Sequence, residues 1–197
     1  MTTNDWDNER MELAELKPEL ERLHVASFGW ALSCCQRDRA EAEDVLQSVY
    51  LKILQGKARY RGEANFKTWL FAVIRKTALG ERRAQVRRAW RAVVGADRAV
   101  ARGRFAAGPL AGLVQAETQT RFLRALDKLP QRQREVLHLV FYEDLSLREA
   151  AGVMGVTIGS ARQHYDRAKK HLREHLDREE IEHEAHWQRA ENSSAIS

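Results

Sequence analysis

The sequence is poor in the residues that build disulfide frameworks, membrane spans and phosphate-binding loops. Only Cys34 and Cys35 are cysteines among 197 residues, and they are neighbours in an apolar stretch. Adjacent cysteines neither staple a fold nor give the spacing of a zinc site, so the chain is expected to fold on packing alone in a reducing compartment. No apolar run approaches ~18 residues, and the segment from Met1 to Glu12 is polar and acidic. Neither a transmembrane helix nor a signal peptide is expected, and the protein reads as cytoplasmic. There is also no glycine-rich loop ahead of a helix, no nucleophile elbow and no strand pattern. An α/β active site has no foothold here, so an enzyme is a distant third reading and no cofactor is expected. His171 and His175 stand four residues apart, with His183 and His186 beyond them. Such spacing can chelate a metal, but solvated histidines on a charged helix are the simpler reading, and no metal site is expected.

What is present is charge, unevenly placed. The formal net charge is only +5, with 44% hydrophobic residues to fill a core. Residues 1–24 hold seven acids against three bases, residues 75–104 ten bases against two acids, and residues 174–191 seven acids against two bases. A basic middle between acidic ends points to a polyanionic partner for the interior segments.

The N-terminal part is helical in pattern. Leu13, Leu16, Leu20 and Leu23 predict a helix that continues through Phe28, Trp30, Ala31 and Cys34, with Pro18 marking a kink or a late start. Asp38 and Glu41 predict a capping box for a second helix, with Ala42, Val45, Val49 and Ile53 on one stripe and Leu46, Tyr50 and Leu54 on another. Asp44, Gln47, Ser48, Lys52 and Gln55 are left for solvent or a partner. Asn65 predicts the cap of a third helix, through Trp69, Leu70, Val73 and Ile74, whose continuation carries Arg75, Lys76, Arg82, Arg83 and Arg87. Tyr60, Phe66, Trp69 and Phe71 interleave with Arg61, Lys67 and Arg75. Rings among cations suit single-stranded nucleic acid, although Phe66 reads more readily as core and Trp69 and Phe71 could equally be core. From Ala92 to Gln115 the periodicity collapses into a linker.

Helical pattern resumes near Thr118, stops at Pro130, returns at Val136, Leu137, Val140 and Phe141, and leads into a helix-turn-helix. Ser146 and Glu149 predict a capping box before Leu147, Ala150, Ala151, Val153 and Met154; Gly155 ends that helix and Thr157 caps the next. Ala161, Tyr165, Ala168 and Leu172 define the inward face of the second helix. At ~100° per residue, Ser160, Gln163, Arg167 and Lys170 fall on the far side, flanked by Arg162 and Asp166. A lone basic helix would usually be a solvated face, but one that follows a short helix and a tight glycine turn fits a DNA major groove. From Asp177 to Ser197 the chain reads as an acidic, weakly apolar tail whose Asn-Ser-Ser-Ala end has a disordered composition.

Four stretches, from Ala42 to Leu51, Tyr60 to Phe71, Leu126 to Pro130 and Gly159 to Ala168, together resemble the extracytoplasmic-function (ECF) class of bacterial sigma factors. The resemblance implies an all-α fold of two small helical domains joined by a flexible linker, the C-terminal one a four-helix domain containing the helix-turn-helix. Residues 12–91 would bind the polymerase clamp and open the minus-ten element, 92–117 would be the linker, 118–176 would read the minus-thirty-five element, and 177–197 would be a tail. It implies core RNA polymerase, promoter DNA and an anti-sigma factor as partners. Asp44, Gln47, Ser48 and Leu51 would meet polymerase. Tyr60, Arg61, Asn65, Lys67, Trp69, Arg75, Lys76 and Arg83 would meet the minus-ten element. Ser160, Arg162, Gln163, Asp166, Arg167 and Lys170 would meet the minus-thirty-five element. Ser48, Lys76 and Gly80 depart from the acid, asparagine and aspartate usual in the class. The competing reading is a free-standing dimeric regulator that uses Asp144 to Leu176 on an operator.

Overall fold

The computed structural model describes the backbone of residues 13–93, 122 and 124–194, and the side chains of 16–91, 122 and 124–178. Every regular element in it is helical. The N-terminal unit consists of α1 (Leu13–Arg22), α2 (His24–Cys34), α3 (Arg39–Leu54) and α4 (Phe66–Val93). The C-terminal unit has a helical segment at 124–128, then α5 (Gln131–Leu137), a π-helical turn (His138–Tyr142), α6 (Leu147–Met154) and α7 (Ile158–Ser194).

The single helix expected from Leu13 to Cys34 bends at Leu23, whose backbone (φ −93°, ψ 3°) leaves the helical region. Hydrogen bonding continues across the bend, from Leu23 N to Glu19 O at 3.0 Å and from Ser27 N to Leu23 O at 2.8 Å. Pro18 sits inside α1 rather than at its start. On α3, Asp38 accepts from the Glu41 backbone at 3.0 Å. The return half of the expected box is absent because the Asp38 N–H donates to Cys35 O at 3.0 Å. Ala42, Val45, Val49, Ile53 and Leu46 are buried as the stripes require, whereas Leu54 is 55% exposed. The second stripe thus turns outward at its end.

Trp30 holds this unit together. It is fully buried, its indole N–H donates to Phe71 O at 2.9 Å, and its ring lies nearly parallel to Phe71 with centroids 5.9 Å apart. Phe66 and Phe71 are core residues, and Trp69 is half-buried. Burial pushes both thiols up, Cys35 to about 12, so Cys34 and Cys35 are packing residues with no thiolate to offer.

In the C-terminal unit the predicted signals act as written. Ser146 and Glu149 form both halves of a capping box, and Gly155 takes the left-handed conformation at φ 62° that suits glycine. Thr157 Oγ1 accepts from Ser160 N at 3.1 Å and starts α7. That helix continues to Ser194, through most of the segment expected to be an acidic tail. Residues 92 and 93, expected to open the linker, still belong to α4, and the rest of the expected linker, 94–117, lies outside the described residues, as do 118–121.

The two units pack directly, and their buried side chains form one cluster. Arg75 Nε on α4 meets Glu135 Oε2 on α5 at 3.1 Å, with both side chains nearly fully buried. Lys67 Nζ on α4 meets Glu143 Oε2 at 2.9 Å and donates to Glu143 O at 2.8 Å. Trp30 also touches His138, with ring centroids 5.3 Å apart. Removing one partner of a buried ion pair strands the other charge in a low dielectric. Arg75→Met is expected to lower the unfolding free energy in urea by about 3–5 kcal/mol. The Arg75→Met, Glu135→Leu double variant should recover most of that loss, since two apolar side chains leave no charge unpaired.

Candidate polymerase and nucleic-acid interfaces

On α3 the buried stripe fixes what faces outward. Asp44, Gln47 and Leu51 are exposed and Ser48 half-buried, and their spacing places all four on one side of the helix. Beside them lies an apolar groove of about 670 Å³ lined by Leu16, Leu20, His24, Tyr50 and Leu54, among others. The groove is not legible in the sequence, where Leu54 shares an apolar stripe with Leu46 and Tyr50.

The loop before α4 is shaped by left-handed glycines at Gly56 (φ 67°) and Gly62 (φ 73°) and by Tyr60, whose hydroxyl donates to Ala64 O at 2.6 Å. Asn65 Oδ1 accepts from Lys67 N at 3.0 Å. Tyr60, Phe66 and Trp69 form a three-ring cluster with centroids 5.2 to 5.4 Å apart. Arg61 is exposed, 3.9 Å from Glu63. The cations of α4 then divide between two faces. Lys76 and Arg83 are exposed on the side that carries Trp69, whereas Lys67 and Arg75 point to the C-terminal unit and are engaged by Glu143 and Glu135.

On α7, Ala161 and Ala168 are buried and Tyr165 is half-buried. Arg162, Gln163, Asp166, Arg167 and Lys170 are exposed, while the Ser160 hydroxyl lies 2.9 Å from that of Thr157 in the cap. Asp166 is 3.4 Å from Lys169 and Lys170 is 3.9 Å from Glu174, so Arg162, Gln163 and Arg167 are the reading-face side chains with no described partner. Phe141, which the apolar pattern groups with Val136, Leu137 and Val140, is instead a surface residue, 59% exposed and stacked at 5.9 Å on Tyr165. His171 is bonded to Gln133 at 2.9 Å. The side chains of His183 and His186 lie outside the described residues.

Both units match known sequence models in chain order, sigma-70 region 2 over residues 21–88 and sigma-70, region 4 over residues 125–174. The ECF RNA polymerase sigma factor EcfG of Rhodopseudomonas palustris is 30% identical over 167 residues, covering 84% of this chain and 83% of that protein. The chain belongs to the ECF family of RNA polymerase sigma factors. SigX of Bacillus subtilis is 29% identical over 150 residues, 74% of this chain and 76% of the relative. Among solved structures, the sigma factor RpoE in complex with the anti-sigma factor NepR from Bartonella quintana is similar at a TM-score of 0.64 and 26% identity, covering 84% of this chain and 98% of that one. CnrH in complex with the cytosolic domain of CnrY shares the fold at a TM-score of 0.57 and 20% identity, over 85% of this chain and 90% of that one. This ECF factor is a transcription initiation factor that directs RNA polymerase to promoters. The dimeric-regulator reading is not favoured, because it leaves the whole region 2 match without a role. Among the described residues, no helix is long and apolar enough to cross a membrane.

The seam between the two units of this sigma factor contains a titratable carboxyl, Glu143, held between His138 and Lys67. Burial acts to raise the pKa of Glu143, but His138 and Lys67 outweigh it and hold the carboxyl below its usual value. A carboxylate with a depressed folded pKa stabilises the fold above its unfolded pKa of ~4.3 and loses that contribution as pH falls through the folded value. Unfolding free energy should therefore drop as pH is lowered from 5 towards 3, and Glu143→Gln should flatten that part of the curve in urea titrations.

Proposed function

We propose that the N-terminal unit holds core polymerase through Asp44, Gln47, Ser48 and Leu51 and captures the minus-ten element with the loop and helix from Tyr60 to Arg83, and that α7 reads the minus-thirty-five element. The observation that carries this reading is the exposed polar face of α7, held behind a complete helix-turn-helix with both caps in place. Arg and Gln at the start of a recognition helix can make bidentate contacts to guanine and adenine edges, which carry sequence information. Phosphate contacts from Arg61, Lys76 and Lys170 would add affinity without it. The domain assignment follows: residues 12–91 for polymerase and the minus-ten element, 92–117 as the linker, 118–176 for the upstream element and 177–197 as a tail. Such a factor works where polymerase and the chromosome are, in the cytoplasm. An anti-sigma factor is a fitting further partner, since the solved RpoE relative was captured with one.

The test uses the polymerase complex on a library of upstream elements. Arg162→Ala and Gln163→Ala should each relax preference at particular base pairs by ~1–3 kcal/mol, while Lys170→Ala should weaken all sequences alike. Uniform losses in all three variants, with base preferences intact, would make α7 an anchor and place the reader elsewhere. For polymerase binding, Asp44→Arg should weaken the complex with core enzyme by ~2–5 kcal/mol if the carboxylate is desolvated there. Unchanged affinity in a pull-down titration would remove α3 from the polymerase interface.

A further inference from the structure

Because α7 runs on to Ser194, the residues beyond Asp177 have a helical register. In that register Glu179, Glu182, His183 and His186 stand at positions i, i+3, i+4 and i+7. At ~100° per residue they fall within ~100° of arc and span ~10 Å of helix, so the four form one compact patch. They continue the stripe that carries Ala161, Ala168 and Leu172 nearer the start of α7. One stripe is thus apolar through Leu172 and then turns to carboxylates and imidazoles.

Two imidazoles and two carboxylates are donor types that zinc takes, and no thiolate is needed beside them. Residues three or four apart on a helix have Cβ atoms ~5–6 Å from one another. Ligand atoms on one tetrahedral zinc, each ~2.0–2.2 Å from the metal, lie ~3–3.5 Å apart. The spacings of Glu179 to His183, Glu182 to His186 and His183 to His186 all match that geometry. Solvated histidines suit a tail with no fixed register; a continuous helix gives them one.

Charge supplies a second reason. From Asp177 to Glu184 there are five acids and one base, Arg178. Asp177 and Glu180, Glu179 and Glu182, and Glu180 and Glu184 are like charges three or four residues apart, and such pairs weaken a helix. The helix nevertheless runs through them. A dication held across two turns offsets that repulsion and ties the turns together. His171, earlier on the same helix, is already bonded to Gln133 at 2.9 Å and serves as an internal control.

We propose that the end of α7 binds one divalent transition-metal ion of the zinc class at the patch formed by Glu179, Glu182, His183 and His186, and that the ion fixes this part of the helix. The patch begins ~18 Å along the helix from Arg167, so the site stands apart from the face assigned to DNA.

The experiment uses the full-length chain, stripped with a chelator and titrated calorimetrically with ZnCl2 at about pH 7.5, where imidazole is neutral. One ion per chain should bind, with slowed amide hydrogen exchange confined to residues 177–190. His183→Ala and His186→Ala should each weaken binding by about 10- to 100-fold, as loss of even an outer partner of a zinc ligand does. Alanine is a better helix former than histidine, so metal-free helicity should hold or rise in these variants while the response to zinc is lost, which separates a lost ligand from a damaged fold. The Glu179→Gln, Glu182→Gln double variant should also bind more weakly. His24→Ala and His171→Ala should bind as the wild type does. Affinity should fall below pH ~6.5 as the imidazoles take up protons, and an excess of Mg²⁺, which prefers oxygen ligands and water, should not displace the zinc. Absence of zinc binding by the wild-type chain would overturn the site. Equal losses in His24→Ala and His183→Ala would mean scattered surface histidines and overturn it as well. A zinc-dependent dimer in sedimentation would place the ion between two chains and overturn a site on one helix.

Discussion

The contact between Arg75 and Glu135 is the constraint on which the arrangement of the two units depends. A guanidinium and a carboxylate that are both nearly fully buried must face each other, because neither can be satisfied by water. The pair ties α4 to α5 beside the broader packing of α4 on α6, and other polar contacts flank it. Lys67 reaches Glu143, Arg82 reaches Gln131 at 3.1 Å, and Arg37 reaches Asp127 at 3.0 Å. The polar part of the seam thus consists of ion pairs and one hydrogen bond to a neutral amide, set beside the shared apolar cluster, with Trp30 and His138 as its aromatic part.

Because of this seam, α4 has one covered side and one open side, with Phe71 lying between Lys67 and Arg75 on the covered side. Leu70, Phe71 and Ile74 serve the core, and Lys67 and Arg75 serve the C-terminal unit. Lys76, Arg83 and Arg87 remain open. The cations of one basic helix therefore differ in kind: those in the seam are bound by carboxylates within the protein, and those on the open face are free to meet an external polyanion. The π-helical turn at His138–Tyr142 belongs to the same construction. It inserts one wide turn where α5 meets the N-terminal unit, placing His138 against Trp30 and leaving Phe141 on the outside beside Tyr165.

The C-terminal unit reaches its geometry mainly by local means. Ser146 and Glu149 start α6, Gly155 stops it, and Thr157 starts α7, so the angle between the two helices is written within a few residues. Arg132 reinforces that corner by donating to Met154 O at 3.1 Å. The reading face of α7 is held by buried Ala161 and Ala168, small residues that let the helix approach its neighbours closely.

Where a signal acts over a few residues, the sequence by itself determined the outcome. The caps at Asp38, Asn65, Ser146 and Thr157, the turn at Gly155 and the buried stripe of α3 were all legible, because each is a hydrogen bond or a 3.6-residue period set by near neighbours. The exposed polar face of α7 was legible for the same reason. Tertiary structure alone decided the bend at Leu23, the outward turn of Leu54, and the division of the α4 cations between two faces. Helical periodicity says which residues share a side, but not which side another unit will cover. Lys67 and Glu143 are 76 residues apart and Arg75 and Glu135 are 60, so no local pattern could pair them. Long-range packing chose their partners because burial leaves a charge no alternative to an opposite charge within the fold.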